Sequence, residues 1–193
     1  MDQVSENETI ALDYLTEVIA ELYDNPGMFE NVQRKLKKTF YDFRTNHFVL
    51  SNAVEMIFEQ SIKEQNFRYM GARLCHLLDR LDGRDAGALR QLLGMKMEHQ
   101  QSELPGYMQN EQVKVRGTTL FLAELYMQLR KAKDPARNYE LGMRIIGAAK
   151  ILLQREGPEN IKCVCQSYNR NFSNSQLKPV GCCKIATLEE DLD

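Results

Sequence analysis

The chain has no tryptophan, and its 193 residues include only five prolines and eleven glycines. Proline and glycine are the residues that most often interrupt a helix, so their scarcity suits an all-helical chain. Sustained period-two alternation of apolar and polar residues, the pattern of a half-buried strand, is also missing. Together these absences favour an all-α fold over one that contains a sheet.

Long apolar runs and a dominant sign of charge are missing as well. No apolar stretch approaches the ~20 residues that cross a bilayer, and residues 1–8 are acidic and polar, unlike a secretory signal or an Arg-rich transit peptide. The formal net charge is −2, so nucleic-acid contact would have to come from a local basic patch. We therefore expect a cytoplasmic protein without a membrane partner.

Residues that commonly carry catalysis are few and poorly arranged. The three histidines, His47, His76 and His99, lack metalloprotease spacing, and a Gly-rich phosphate loop and a Gly-x-Ser-x-Gly motif are both missing. Cys75 and His76 are adjacent on a predicted helix, where neighbouring side chains point about 100° apart, so they do not form a nucleophile–base pair. We expect a protein that is not an enzyme and uses no cofactor or small-molecule substrate.

The five cysteines are an odd number, and four of them lie after residue 160. An intracellular chain with reduced thiols is the simplest interpretation. Cys163-x-Cys165 and Cys182-Cys183 could in principle supply four thiolates to zinc, but neither pair has the usual two or more residues between ligands. Free thiols, exposed in the C-terminal region, are the favoured interpretation.

An apolar stripe at helical spacing dominates residues 66–81. Its members, which lie three or four positions apart or adjacent, are Phe67, Met70, Leu74, Leu77, Leu78 and Leu81. This spacing predicts a helix with one buried face, which needs neighbours on both sides. Asn66 is the predicted N-cap, and Asp82-Gly83 is the predicted stop. The helix is the expected packing hub, and Phe67, Met70, Leu74, Leu77 and Leu78 are its predicted core.

Small and basic residues of the same helix have different predicted roles. Gly71 and Ala72 are small enough for another helix to approach the backbone closely. Arg68 and Arg73 flank the apolar stripe, and we expect both to reach solvent.

Stripes of the same kind recur on both sides of this helix. They predict helices from about residue 10 to 22, 29 to 43, 50 to 62, 86 to 103, 111 to 131, 141 to 152 and 158 to 165. Ser5 and Glu8 have capping-box spacing, and Leu104-Pro105-Gly106 is expected to interrupt the fifth predicted helix. Two helices every ~40 residues are typical of HEAT or armadillo repeats, although no crisp repeat consensus is present. Periodicity alone therefore predicts an all-α bundle or solenoid.

The two ends differ in character from the helical region. Residues 1–8 form a polar N-terminal segment, and residues 9–166 form the predicted helical domain. From Ser167 the chain becomes polar and poor in helix formers, and residues 189–193 are strongly acidic. We expect residues 167–193 to be a divergent, disordered tail.

A basic cluster lies on the second predicted helix. It consists of Arg34, Lys35, Lys37 and Lys38. A solvated helix face is the commoner explanation for such a cluster, and contact with RNA phosphates or an acidic protein surface is the alternative. Because no aromatic residues are interleaved with these charges, base stacking is not expected.

Two stretches carry a family resemblance. Residues 66–75, Asn-Phe-Arg-Tyr-Met-Gly-Ala-Arg-Leu-Cys, closely resemble a segment in the middle domain of the polyadenylate-binding-protein-interacting proteins. Those belong to the wider family of the middle domain of eukaryotic initiation factor 4G. Residues 120–126, Leu-Phe-Leu-Ala-Glu-Leu-Tyr, are similar to the helix that follows in that family. Helix pattern and spacing agree roughly from residue 10 to 166.

The resemblance implies a HEAT-type solenoid that serves as a translation-factor scaffold. Its implied partners are the initiation helicase and poly(A)-binding protein, with weak RNA binding as a further expectation. Arg68, within the matching stretch, joins Arg34, Lys35, Lys37 and Lys38 as candidate contacts for RNA or a partner. The family continues with more amphipathic helices where this chain does not, so we expect a solenoid incomplete at its C-terminal end, with a frayed last repeat.

A second interpretation stays open. The chain would then be a generic helical adaptor outside translation, or a truncated product without function. Co-purification of initiation factors is the observation that separates the two interpretations.

Overall fold

The computed structural model describes residues 3–81, 87–130, 135–155 and 157–172. Within these ranges the chain forms helices and no strand, so the protein is all-α, as the sequence predicts. The α-helices are α1 (Gln3–Asp24), α2 (Phe29–Tyr41), α3 (His47–Lys63), α4 (Arg68–Asp79), α5 (Ala88–Asn110), α6 (Gln112–Leu129), α7 (Pro135–Leu152) and α8 (Pro158–Phe172). Single 3-10 turns, Pro26–Met28 and Gln65–Phe67, precede α2 and α4. None of these helices is both long and apolar enough to cross a membrane.

Helix contacts follow two series. Helices α1, α3, α5 and α7 each contact the next member of the odd series, and α2, α4, α6 and α8 do the same in the even series. Each odd helix also packs against the even helix that follows it. The apolar core therefore lies between two rows of helices, where amphipathic helices bury their stripes.

The core is continuous along both rows. Its largest fully buried side chains include Phe40, Phe58, Phe67 and Phe121. The rings of Phe58 on α3 and Phe121 on α6 meet edge to face, with centroids 4.9 Å apart and planes at 87°. This arrangement directs the positive edge of one ring at the negative face of the other, which stabilises the pair beyond area burial alone.

All five side chains of the predicted hub are buried. They are Phe67, Met70, Leu74, Leu77 and Leu78. Helix α4 contacts α1, α2, α3, α5 and α6, and α6 is equally central because it contacts α3, α4, α5, α7 and α8. Polar residues of α6, among them Thr118 and Thr119, are buried as well. Packing is therefore centred on two adjacent helices.

Small residues let the backbones of α4 and α6 approach the end of α3. A Cβ atom at Gly71 would overlap the Ser61 hydroxyl, and one at Gly117 would overlap the backbone carbonyl oxygen of Ile62. The close approach predicted at Gly71 therefore occurs, and Gly117 provides a second one.

The predicted ends of the central helix are wrong in detail. Helix α4 begins at Arg68, after the 3-10 turn, so Asn66 is not its N-cap. It ends at Asp79, with Arg80 as the C-cap residue. Phe67 is fully buried within the 3-10 turn, and its burial holds the chain in that tighter turn. The predicted stop at Asp82-Gly83 lies outside the described residues.

One predicted helix start and one predicted helix break are not observed. Helix α1 begins at Gln3, so Ser5 does not start it, and the Glu8 side chain accepts a 2.7 Å hydrogen bond from Asn46 beyond α2. Helix α5 continues through Pro105 to Asn110. Proline removes one backbone hydrogen bond from a helix, but burial of apolar side chains before and after Pro105 keeps α5 packed as one element.

The last helix extends past the predicted domain boundary. Helix α8 ends at Phe172 rather than near residue 166. Ser167, expected to begin the tail, is buried, and its hydroxyl donates to the Val164 carbonyl at 2.9 Å. Satisfying a polar side chain within the helix removes the penalty that its burial would bring. The rest of the predicted tail, residues 173–193, lies outside the described residues.

Asn160 connects α8 to the preceding helices. Its side-chain oxygen accepts a 2.8 Å hydrogen bond from Arg116, and its side-chain nitrogen donates to Gln112 at 3.2 Å and to the Arg155 carbonyl at 2.9 Å. The residue is 2% exposed. This buried, fully used amide fixes the start of α8 against α6 and against the end of α7.

A buried ion pair joins the end of α4 to the start of α7. Arg137 donates to both carboxylate oxygens of Asp79, at 2.7 and 3.1 Å, and the two side chains are only 7% and 12% exposed. Removing one partner of such a pair leaves a buried charge without compensation, so the two residues depend on each other.

We expect Leu74→Ala to lower the free energy of unfolding by about 2–5 kcal/mol, because it removes buried methyl groups and leaves a cavity. Leu153→Ala is the matched control, since Leu153 is 45% exposed and its truncation should change stability by no more than about 0.5 kcal/mol. Chemical denaturation measures both. Equal midpoints for the two variants would show that Leu74 is not a core residue.

Two glycine-to-alanine substitutions should change the stability of the fold in opposite directions. Gly117→Ala should destabilise the fold by roughly 1–3 kcal/mol, because the new methyl group meets the Ile62 carbonyl. Gly94→Ala should stabilise it by about 0.4–1 kcal/mol, because a Cβ there meets nothing within 4 Å. Thermal and denaturant unfolding of both variants tests the packing at α3. A stabilising effect of Gly117→Ala would contradict the close approach of α6 to the Ile62 carbonyl.

Candidate functional site

A groove of about 750 Å³ lies between α2 and α4. Its floor is apolar and includes Phe29 and Leu77, both buried, and the half-buried Leu81. Basic side chains line its rim, namely Lys37, Lys38, Arg73 and Arg80. His76 and Gln128 add polar atoms, and no carboxylate belongs to the lining formed by the described residues. The groove therefore combines positive charge with an apolar base.

Helical spacing positions the lining side chains. On α2, Gln33, Lys37 and Tyr41 are four residues apart and so lie along one edge of the helix. On α4, Arg73 and Leu77 have the same spacing, and Arg80 follows one turn later. Because α2 packs beside α4, these two edges face each other across the groove.

Arg73 is the most tightly held basic residue of the groove. Its guanidinium lies 3.7 Å from the centre of the Phe29 ring and donates to the Glu30 carboxylate at 2.7 Å. Gln33 donates to the same carboxylate. The ring contact and the ion pair hold the Arg73 side chain at the α2–α4 contact, with its charge at the surface.

The structure divides the predicted basic cluster. Lys37 and Lys38 are exposed and line the groove. Lys35 instead lies with its ammonium 4.2 Å from the centre of the Tyr14 ring on α1, and Arg34 is exposed outside the groove lining. Burial, together with the nearby carboxylates of Glu21 and Glu17, raises the pKa of Tyr14, so its phenol stays neutral.

Hydrogen bonds to the end of α3 hold the Arg68 side chain in place. Its guanidinium donates to the carbonyls of Ser61 at 3.1 Å and Ile62 at 3.4 Å, in the last turn of α3. These carbonyls lack partners within their own helix, so the arginine satisfies the helix end and complements its dipole. Arg68 and Arg73 are both half-buried. Arg73 reaches solvent as expected, with 27% of its side chain exposed, while the Arg68 guanidinium bonds to the end of α3. Arg68 also lines a smaller groove, of about 400 Å³, with Tyr69 and Gln166.

The candidate contacts predicted from the sequence do not include Arg73, His76 and Arg80. Their positions, with Leu77, follow the i, i+3, i+4, i+7 spacing of one helix face, and that spacing is the signal that could have found them. Its meaning depends on α2 packing alongside, which is a tertiary contact. The site therefore shares only Lys37 and Lys38 with the predicted cluster.

Two of the described cysteines, Cys75 and Cys163, are poor nucleophiles. Cys163 is buried, and burial raises its pKa to about 11, while burial next to Asp79 raises the pKa of Cys75 still further. Both thiols are therefore protonated at neutral pH. In the described part of the chain no three metal-binding side chains converge. The predicted thiols at Cys182 and Cys183 lie outside it.

Comparison of the chain with known protein-family models finds no match.

Proposed function

We propose that the chain is a HEAT-type stack of helical hairpins that acts as a cytoplasmic scaffold for translation initiation factors. Its proposed partners are the initiation helicase and poly(A)-binding protein, with weak, salt-sensitive binding of RNA. The groove between α2 and α4 is the proposed contact surface. The resemblance of residues 66–75 and 120–126 to the initiation factor 4G middle-domain family supports the choice of partners.

The helix contacts support the solenoid part of the proposal. Each hairpin packs on the next through both of its helices, odd on odd and even on even. Stacked helical-hairpin repeats bury a core between their two rows in this way, and each repeat contacts chiefly its neighbours. The contacts of α3 with α6 and of α1 with α4 are those expected where one hairpin sits diagonally over the next.

The convergence of basic residues at the groove carries the binding part of the proposal. Lys37 and Lys38 come from α2, and Arg73 and Arg80 come from α4 and its end. Four cations, of which Arg73 is already paired with Glu30, lie around an apolar floor. They suit an acidic protein segment or a row of phosphates, because both offer regularly spaced anions. If the basic residues served only as the solvated face of one helix, charges from two helices would have no reason to converge.

We expect Lys37→Glu/Lys38→Glu to weaken binding of purified initiation helicase or poly(A)-binding protein roughly ten-fold or more, because like charges across an interface repel. The measurement is isothermal titration calorimetry with each factor at physiological salt. The matched control is Lys150→Glu/Lys162→Glu, which makes the same charge change at exposed positions on α7 and α8.

Each outcome of that titration has a defined meaning. Binding lost in the groove variant and kept in the control supports both the partners and the surface. Equal losses would show that net charge, rather than the groove, determines affinity. If the unaltered chain binds neither factor, the scaffold proposal is wrong and an adaptor outside translation replaces it.

For RNA, we expect weak binding whose association constant falls as salt is added. The logarithm of that constant should fall by about 0.7 per phosphate contact for each tenfold rise in salt concentration. Lys37→Glu/Lys38→Glu should abolish the gel shift seen at low salt. Lys35→Glu should retain most of it, because Lys35 lies against Tyr14 outside the groove. Equal effects of the two variants would contradict the assignment of RNA to the groove.

A further inference from the structure

The groove between α2 and α4 is shaped for an acidic segment that also carries apolar side chains. The half-buried Leu81 and the exposed ring of Tyr41 give it accessible apolar surface beside the nearly buried Phe29 and Leu77, and the basic residues stand around them. RNA would use the cations but not the apolar floor. An amphipathic peptide uses both, with apolar anchors three, four or seven residues apart and charges on the opposite side.

Such a segment occurs in this chain, at residues 185–193, Ile-Ala-Thr-Leu-Glu-Glu-Asp-Leu-Asp. Ile185, Leu188 and Leu192 are spaced i, i+3, i+7, which is one face of a helical peptide. The charged residues of the segment are all acidic, namely Glu189, Glu190, Asp191 and Asp193. The segment is therefore complementary to the groove in charge and in apolar spacing.

The path of α8 brings the chain toward the groove. Asn160 contacts Arg116 at 2.8 Å, and Gln166 lines a common groove with Leu120 and Glu124, so α8 and α6 run in the same direction. Phe172, at the end of α8, is twelve positions after Asn160, and Gln128 is twelve positions after Arg116. The chain therefore leaves α8 at the end of the even row where Gln128 lines the groove.

The chain between the end of α8 and residue 185 is long enough to reach the groove. The groove lies about two helix spacings from α8, because α8 packs on α6 and α6 on α4; at ~8–10 Å per spacing this is roughly 20 Å. Residues 173–184 can extend to about 40 Å at ~3.3–3.6 Å per residue. Tethering also gives the segment an effective concentration in the millimolar range.

We propose that residues 185–193 dock in the groove between α2 and α4 of the same chain. Ile185, Leu188 and Leu192 lie on the apolar floor, and the carboxylates of residues 189–193 face the basic rim. The docked segment occupies the surface that an acidic or phosphate-bearing partner would use, so it acts as an internal competitor. The contact itself goes beyond the proposed function and does not depend on the identity of any partner.

Zero-length carbodiimide cross-linking of the full chain tests the contact. The reagent joins lysines to carboxylates in direct contact, and mass spectrometry of an equal mixture of unlabelled and ¹⁵N-labelled chains separates links within a chain from links between chains. We expect Lys37 or Lys38 to be joined to residues 189–193 within one chain. Lys96 and Glu55, whose Nζ and Oε1 atoms are 2.6 Å apart, give the internal reference link.

A serine variant distinguishes docking from chance encounter of opposite charges. Leu188→Ser/Leu192→Ser keeps every reactive group but removes two apolar anchors, so the yield of the tail link should fall roughly ten-fold. Val180→Ser is the matched control and should leave the yield unchanged. The reference link should stay constant in all variants, which shows that the helical domain is intact.

Three results would overturn the proposal. The first is the absence of a link between Lys37 or Lys38 and residues 189–193 while the Lys96–Glu55 link forms. The second is a link found only between labelled and unlabelled chains, which would make a second copy the occupant. The third is a yield unaffected by Leu188→Ser/Leu192→Ser, which would reduce the contact to unspecific charge attraction.

Discussion

The rest of the packing depends on the close approach of three backbones at the last turn of α3. Gly71 of α4 rests against the Ser61 side chain, and Gly117 of α6 rests against the Ile62 carbonyl. Arg68 donates to the carbonyls of Ser61 and Ile62, so the polar end of α3 is satisfied inside this junction. Helices can pack this tightly only where one side contributes no side chain, and the unpaired carbonyls of a helix end need a donor there. The junction therefore fixes α4 and α6 relative to α3.

The groove is a consequence of that arrangement. Once α4 is held between α3 and α6, the face that carries Arg73 and Leu77 points toward α2, and the Arg73–Glu30 pair joins the two helices at the surface. The buried Asp79–Arg137 pair fixes the far end of α4 to α7. Arg73 and Arg80, the part of the basic rim that α4 carries, thus stand on a helix held by ion pairs to α2 and α7, which limits the motion of side chains that would contact a ligand.

Local sequence signals failed where tertiary burial outweighed them. Pro105 predicts a helix break, but the fully buried Leu104 and the nearly buried Met108 hold α5 together across it. The polar sequence from Ser167 predicts the start of a tail, but Ser167 is buried with its hydroxyl bonded to the preceding turn. Capping and breaking preferences are worth about 1–3 kcal/mol, and burial of one or two large apolar side chains is enough to override them.

The sequence by itself determined the all-α class and the burial of Met70, Leu74, Leu77 and Leu78 on α4, because these follow from a periodicity of 3.6 residues along a single element. Tertiary structure alone decided which charges act together. Lys35 and Lys37 are two residues apart, but one contacts Tyr14 on α1 and the other lines the α2–α4 groove with Arg73. Side chains two positions apart on a helix point about 200° from each other. Their surroundings therefore depend on the two different helices that pack there.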